Sequence, residues 1–179
     1  MRRLALALVI AVSACAQPAQ VAVDSSLTVE TFADTGNEHF PDTEVQAILA
    51  GTSDFSYSTF PATSGPHAAT WAPCGIYRET VPEIFDVHTM EHGGVVVHYD
   101  PSLPTDQRDS IENLARELGS HILVTPRPGL PAEVVLTAWT VMADLDGPDL
   151  TAIETFWHDY AEKGPERVEC PLEVDQASG

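Results

Sequence analysis

The sequence predicts an α+β domain: a small mixed sheet of about three strands packed by helices, with a long structured N-terminal loop region. Three observations carry that prediction. From residue 81 onward, apolar residues alternate between helical and strand periodicity. Residues 41 to 79 instead carry Pro61, Gly65, Pro66, Pro73 and Gly75, the mark of a turn-rich structured segment. Finally, the segment from Val95 to Thr125 reads strand, helix, strand. Such a unit closes as a parallel pair with a right-handed crossover, and the strand after it is expected to pair antiparallel.

The chain opens "MRRLALALVIAVSACAQ". Two arginines, a short apolar run and small residues have the order of a secretory signal, and the run is too short to span a bilayer as a permanent helix. Val12-Ser13-Ala14-Cys15 resembles the lipobox of bacterial lipoproteins, which implies a leader over residues 1–14 and lipidation of Cys15. Ordinary secretion with cleavage near Ala14 or Ala16 is the alternative. A multiply acylated cysteine holds a membrane more firmly than one chain does, so the expected location is the extracytoplasmic face of the cell membrane, lipid-anchored. Residues 15–37 then read as the lipidated cysteine and a flexible spacer, 38–171 as one globular domain and 172–179 as a tail.

Within the domain, Thr80-Val-Pro-Glu83 has the form of a capping box and starts a helix over 81–92, which Gly93-Gly94 ends. "VVVHY" from Val95 is a β-branched strand, and "TDQRDSIENLARELG" is a helix with Ile111, Leu114, Ala115 and Leu118 on one face. "HILVT" from His121 reads as a short strand and "EVVLTAWTVMADL" from Glu133 as one longer strand. A last helix over 149–163 buries Ile153, Phe156, Trp157 and Tyr160.

Acidic residues outnumber basic ones 27 to 8, for a formal charge of −19. Such a surface repels phosphate backbones, so no nucleic-acid partner is expected, and the anchor is left as the membrane contact. Of three cysteines, removing Cys15 leaves Cys74 and Cys170. An even pair in an oxidising compartment reads as a disulfide, worth on the order of 4 kcal/mol by the chain-entropy account. The rival reading makes Cys74 a metal ligand or a reactive thiol.

Four of the seven histidines fall between residues 61 and 100. His88 and His92 stand four apart on one helical face with Glu91 beside them, so both rings can reach a single ion. His67, on a loop stiffened by Pro66, is the natural third donor. The spacing His88-x-x-Glu91-His92 also matches the H-x-x-E-H of inverzincin metalloproteases. Those enzymes continue their helix past the motif, whereas Gly93-Gly94 stops this one. Met90 lies off the histidine face and reads as core, and Ser64 sits in no nucleophile elbow. His121 and His158 read as structural and Arg127 as the partner of a buried carboxylate, while His98, facing opposite to Val97 and Tyr99 along its strand, is evenly divided between a structural and a functional reading.

"PATSGPH", "CGIY", "VPEIFDVHTMEHGGVVVHY", "LVTPRPGLP", "LTAW" and "KGPE" together resemble a bacterial extracytoplasmic domain-of-unknown-function family with TSGPH and EHGG motifs. The resemblance covers residues 39 to 166. It implies a membrane-anchored domain and places the motif histidines on His39, His67, His88 and His92, with Glu91 beside them. Ala62 stands where that family usually has a second proline.

The expectation is therefore an extracytoplasmic domain that binds copper or zinc, the metals that imidazole suits, through His67, His88 and His92, with His39 or Glu91 completing the set. With ordinary imidazoles, affinity falls as pH drops through about 6. Two alternatives stand beside it: a metal-dependent hydrolase with Glu91 as general base, and a structural or partner-binding domain whose histidines only hydrogen-bond.

Overall fold

The computed structural model describes residues 27–176. In chain order the elements are β1 (Glu30–Thr31), α1 (Asp42–Leu49), β2 (Gly75–Ile76), α2 (Glu83–Glu91), β3 (Val95–Tyr99), α3 (Thr105–Leu118), β4 (Ile122–Pro126), β5 (Val134–Ala138), β6 (Val141–Leu145), α4 (Leu150–Tyr160) and β7 (Val174–Asp175). All seven strands form one mixed sheet in the order β1-β6-β5-β3-β4-β2-β7.

This corrects the expectation of about three strands. The run from Glu133 is a hairpin, β5 and β6, because the chain turns at Trp139-Thr140, where Thr140 adopts φ 64°. A β-branched residue in the left-handed region is uncommon, and no glycine or asparagine marks the turn. The remaining strands are two residues each, too short to show a period. β1 lies in the segment read as spacer and pairs with β6, and β7 lies in the segment read as tail and pairs with β2. α1 also falls inside the region expected to be loop. The predicted parallel unit is present: β3 pairs β4 in parallel across α3, and β5 runs antiparallel to β3.

All five residues of β3 and all five of β4 are buried, as central strands covered on both faces require. Side chains alternate between those faces. Val95, Val97, Ile122 and Val124 join Ile111, Ile153 and Phe156 in the larger core beneath α3 and α4. Val96 and Leu123 point the other way, into a smaller core with Val87 and Met90 of α2.

A buried polar network fixes α2 over that second face. The Arg127 guanidinium pairs with Asp86 and donates to the Val81 carbonyl at 2.8 Å and to His98 Nδ1 at 3.0 Å. His98 Nε2–H in turn donates to Thr137 Oγ1 at 2.9 Å. Burial and the adjacent guanidinium hold the His98 imidazole well below its ordinary range, so it accepts at Nδ1 as a neutral ring. Arg127 thus pairs a buried carboxylate as expected, and His98 is structural.

The Cys74–Cys170 disulfide spans 96 positions with the Cα atoms 5.6 Å apart. It ties the C-terminal segment to β2, and the Glu173 N–H donates to the Cys74 carbonyl at 2.9 Å beside it. Among the described residues no helix is long and apolar enough to cross a membrane. The leader and Cys15 lie outside the described residues.

Candidate metal centre

The site forms where α2 ends. The helix begins at Glu83 with Pro82 as its N-cap, and no side chain caps it. The expected capping box is absent, since the helix starts three residues after Thr80, and Glu83 Oε1 accepts the Ala62 N–H at 2.7 Å. A proline at position 62 would have no such hydrogen to give. After Glu91 the chain reverses at Gly93, φ 88°, where a side chain would place Cβ 2.7 Å from Glu162 Cα. That reversal leaves Glu91 and His92 in the last turn, facing the loop that carries His67.

The loop is held by a short ladder: Gly65 N–H donates to the Gly36 carbonyl, His67 N–H to Glu38, and Phe40 N–H to His67, at 2.7 to 3.0 Å. His39 and His67 are direct partners in this parallel pairing, which brings their ring centroids to 5.1 Å. The residues around the histidine on each side therefore set one another's positions.

Two backbone carbonyls then decide the chemistry of the rings. His67 Nδ1 donates to the Gly65 carbonyl at 2.9 Å, and His88 Nδ1 donates to the Ala68 carbonyl at 2.7 Å. In each ring Nδ1 is committed to a backbone carbonyl, which turns Nε2 inward. His67 Nε2 lies 3.0 Å from Glu91 Oε2, and His88 Nε2 lies 3.8 Å from the same oxygen. His88 Nε2 and His92 Nε2 are 3.1 Å apart.

Donor atoms at about 2.0–2.1 Å from a tetrahedral ion sit about 3.3 Å from one another. The observed separations bracket that edge. One donor atom from each of His39, His67, His88 and Glu91 lies within 4.8 Å of every other. Glu91, His92 and Glu166 form a second set with the same spacing. All five residues expected from the sequence thus converge at the end of α2. His67, His88, Glu91 and His92 are buried and His39 is exposed.

Burial pushes the His88 imidazole down to about 4, with the neighbouring His67 and His92 rings adding to the effect and the Ala68 carbonyl opposing it. Burial lowers His92 as well, against the pull of Glu166 and Glu91. His88 is therefore a neutral donor far below the pH of about 6 expected for an ordinary ring. Glu91 accepts from Asn37 Nδ2 through Oε1 at 2.8 Å while Oε2 faces His67. Both carboxylate oxygens are thus engaged, Oε1 by Asn37 and Oε2 by His67.

Sequence reasoning missed Asn37, Trp71 and Glu166. Asn37 closed the segment read as spacer. Trp71, 43% exposed, lies against both rings of the helix, with centroids 4.7 Å from His92 and 5.5 Å from His88. Glu166 ends the "KGPE" motif, whose position in the resemblance was the one available signal. The other histidines stay apart: His121 Nε2 donates to the Val168 carbonyl at 3.2 Å, and the His158 side chain is exposed on α4.

No curated protein and no solved structure matches the chain. The family described as Protein of unknown function (DUF3105) matches residues 50–171, a span that takes in His67, Cys74, His88, Glu91, His92 and Cys170 and begins after His39. That span is more than half of the chain, and the chain belongs to this family.

Proposed function

We propose that this protein is a membrane-anchored, extracytoplasmic domain that binds copper or zinc through His67, His88 and Glu91, with His39 available to complete the shell. One observation carries the reading. Two buried imidazoles from separate segments are locked by carbonyls into the tautomer that presents Nε2, and both Nε2 atoms face one carboxylate oxygen. In the ligand-free protein the same nitrogens close hydrogen bonds, His92 with His88 at 3.1 Å and His67 with Glu91 at 3.0 Å, and metal content separates the two readings.

Nitrogen-rich donors with one carboxylate suit copper and zinc over magnesium or calcium, which take oxygen. A bound ion would take the place of the hydrogen that joins His67 Nε2 to Glu91 Oε2. The location rests on the leader pattern and the Cys15 motif, and the Cys74–Cys170 bridge is consistent with an oxidising compartment.

The test is elemental analysis of protein purified without a histidine tag and loaded with zinc or copper(II). The parent is expected to hold metal after desalting, and His67→Ala and His88→Ala to lose it while remaining folded by circular dichroism. Metal content unchanged in both variants overturns the ligand assignment.

A further inference from the structure

We infer that the protein binds a second divalent ion at an outer set of Glu91, His92 and Glu166, beside the first ion and sharing Glu91 with it. This rests on the reading above, since Glu91 is common to both sets. Among the described residues six donor side chains gather at the end of α2, more than the four that one tetrahedral ion takes. They divide into two groups that overlap at Glu91 alone, each with its donor atoms within 4.8 Å of one another.

Glu166 does not reach the cluster by being a flexible side chain on an acidic surface. The strap from Glu162 to Glu166 is docked on the helix end: Glu162 N–H donates to the Gly93 carbonyl at 2.8 Å and Glu166 N–H to the Glu91 carbonyl at 3.0 Å. Between them Gly164 sits so close that a Cβ would lie 2.1 Å from the Glu91 carbonyl oxygen and 2.6 Å from Gly93 N. Glycine is required for that approach. The backbone of the strap thus delivers the Glu166 carboxylate to His92, with Oε2 3.6 Å from Nε2.

The two sets differ in chemistry. The inner one is rich in imidazole, whereas the outer one has one imidazole and two carboxylates, and Glu166 is 57% exposed. Fewer nitrogen donors and open solvent make the outer ion the weaker and the faster to exchange, placed where an ion passes to or from the inner set.

The experiment counts ions. The full mature chain without a histidine tag is titrated with zinc, and bound metal is read by native mass spectrometry and by competition with a chromophoric chelator. The parent is expected to take two ions in a tight and a weak class. Glu166→Gln should weaken only the second, by at least about tenfold. Glu154→Gln, a change at an exposed glutamate of α4, should alter neither. One ion in the parent overturns this inference and leaves the inner site standing; none overturns both. Two ions retained in Glu166→Gln, or an equal loss in Glu154→Gln, shows that the weak class is adventitious binding to an acidic surface and overturns the inference.

Discussion

Glu91→Gln separates a metal ligand from a hydrogen-bond partner. His67 Nδ1 is committed to the Gly65 carbonyl, so in the ligand-free protein the 3.0 Å contact between His67 Nε2 and Glu91 Oε2 needs one additional proton. Glutamine removes that need. Its carbonyl keeps the Asn37 bond that Glu91 Oε1 makes at 2.8 Å, and its amide N–H donates to His67 Nε2. The exchange replaces a charge-assisted bond of about 1.5–3 kcal/mol with a neutral one of about 0.5–1.5 kcal/mol. It also relieves the burial of a charged pair, which acts in the opposite direction. The two offset, and the ligand-free variant is expected to unfold within about 1 kcal/mol of the parent. Metal binding responds differently, because the variant has lost the inner set's only carboxylate. Disturbing a residue that merely orients a ligand costs about 10- to 100-fold, so removal of this one should cost at least about 100-fold, or about 2.7 kcal/mol. Urea denaturation in the presence of a chelator measures the first quantity and zinc competition the second. Parent-like zinc affinity in Glu91→Gln would refute the ligand role. A ligand-free variant weakened by more than about 3 kcal/mol would refute the proposed hydrogen placement.

Acid should destabilise the ligand-free protein through His88. Its folded value is pushed down to about 4 from an ordinary 6.5, so its contribution is complete above about 6.5 and is lost as pH falls towards 4. The loss is at most about 3 kcal/mol, and His88→Gln should remove that part of the slope in urea denaturation at pH 7 and 4.5; an equal slope in the variant contradicts the assignment. Gly164→Ala should cost about 1–3 kcal/mol by forcing the strap off the helix end, where a Cβ meets the Glu91 carbonyl oxygen at 2.1 Å. An unchanged urea midpoint would contradict the docking of that strap.

The parts of the fold legible in sequence were those with long local periods. β3, α3 and β4 each follow from a run of residues that states its own period, and the parallel crossover follows from their order. β1, β2 and β7 are held by partners distant in the chain, and two residues carry no period. The β5–β6 turn stayed hidden because Thr140, with φ 64°, is the wrong residue type to announce it. A similar division runs through the site. His88 and His92 could be paired from their spacing alone, and the glycines after them explained why the helix stops. The features that turn the His67 and His88 Nε2 atoms inward could not be read, because the Gly65 and Ala68 carbonyls are backbone atoms that any residue would supply. Asn37 lies 54 positions from Glu91, and its contact depends on the ladder between residues 36–40 and 65–67.

The most direct measurement is X-ray absorption at the zinc or copper edge of protein loaded with one equivalent of metal. A first shell of nitrogen and oxygen at about 2.0–2.1 Å, with the outer-shell scattering of at least two imidazoles, is the predicted result. A sulfur scatterer at about 2.3 Å, or a shell without imidazole scattering, would contradict the account.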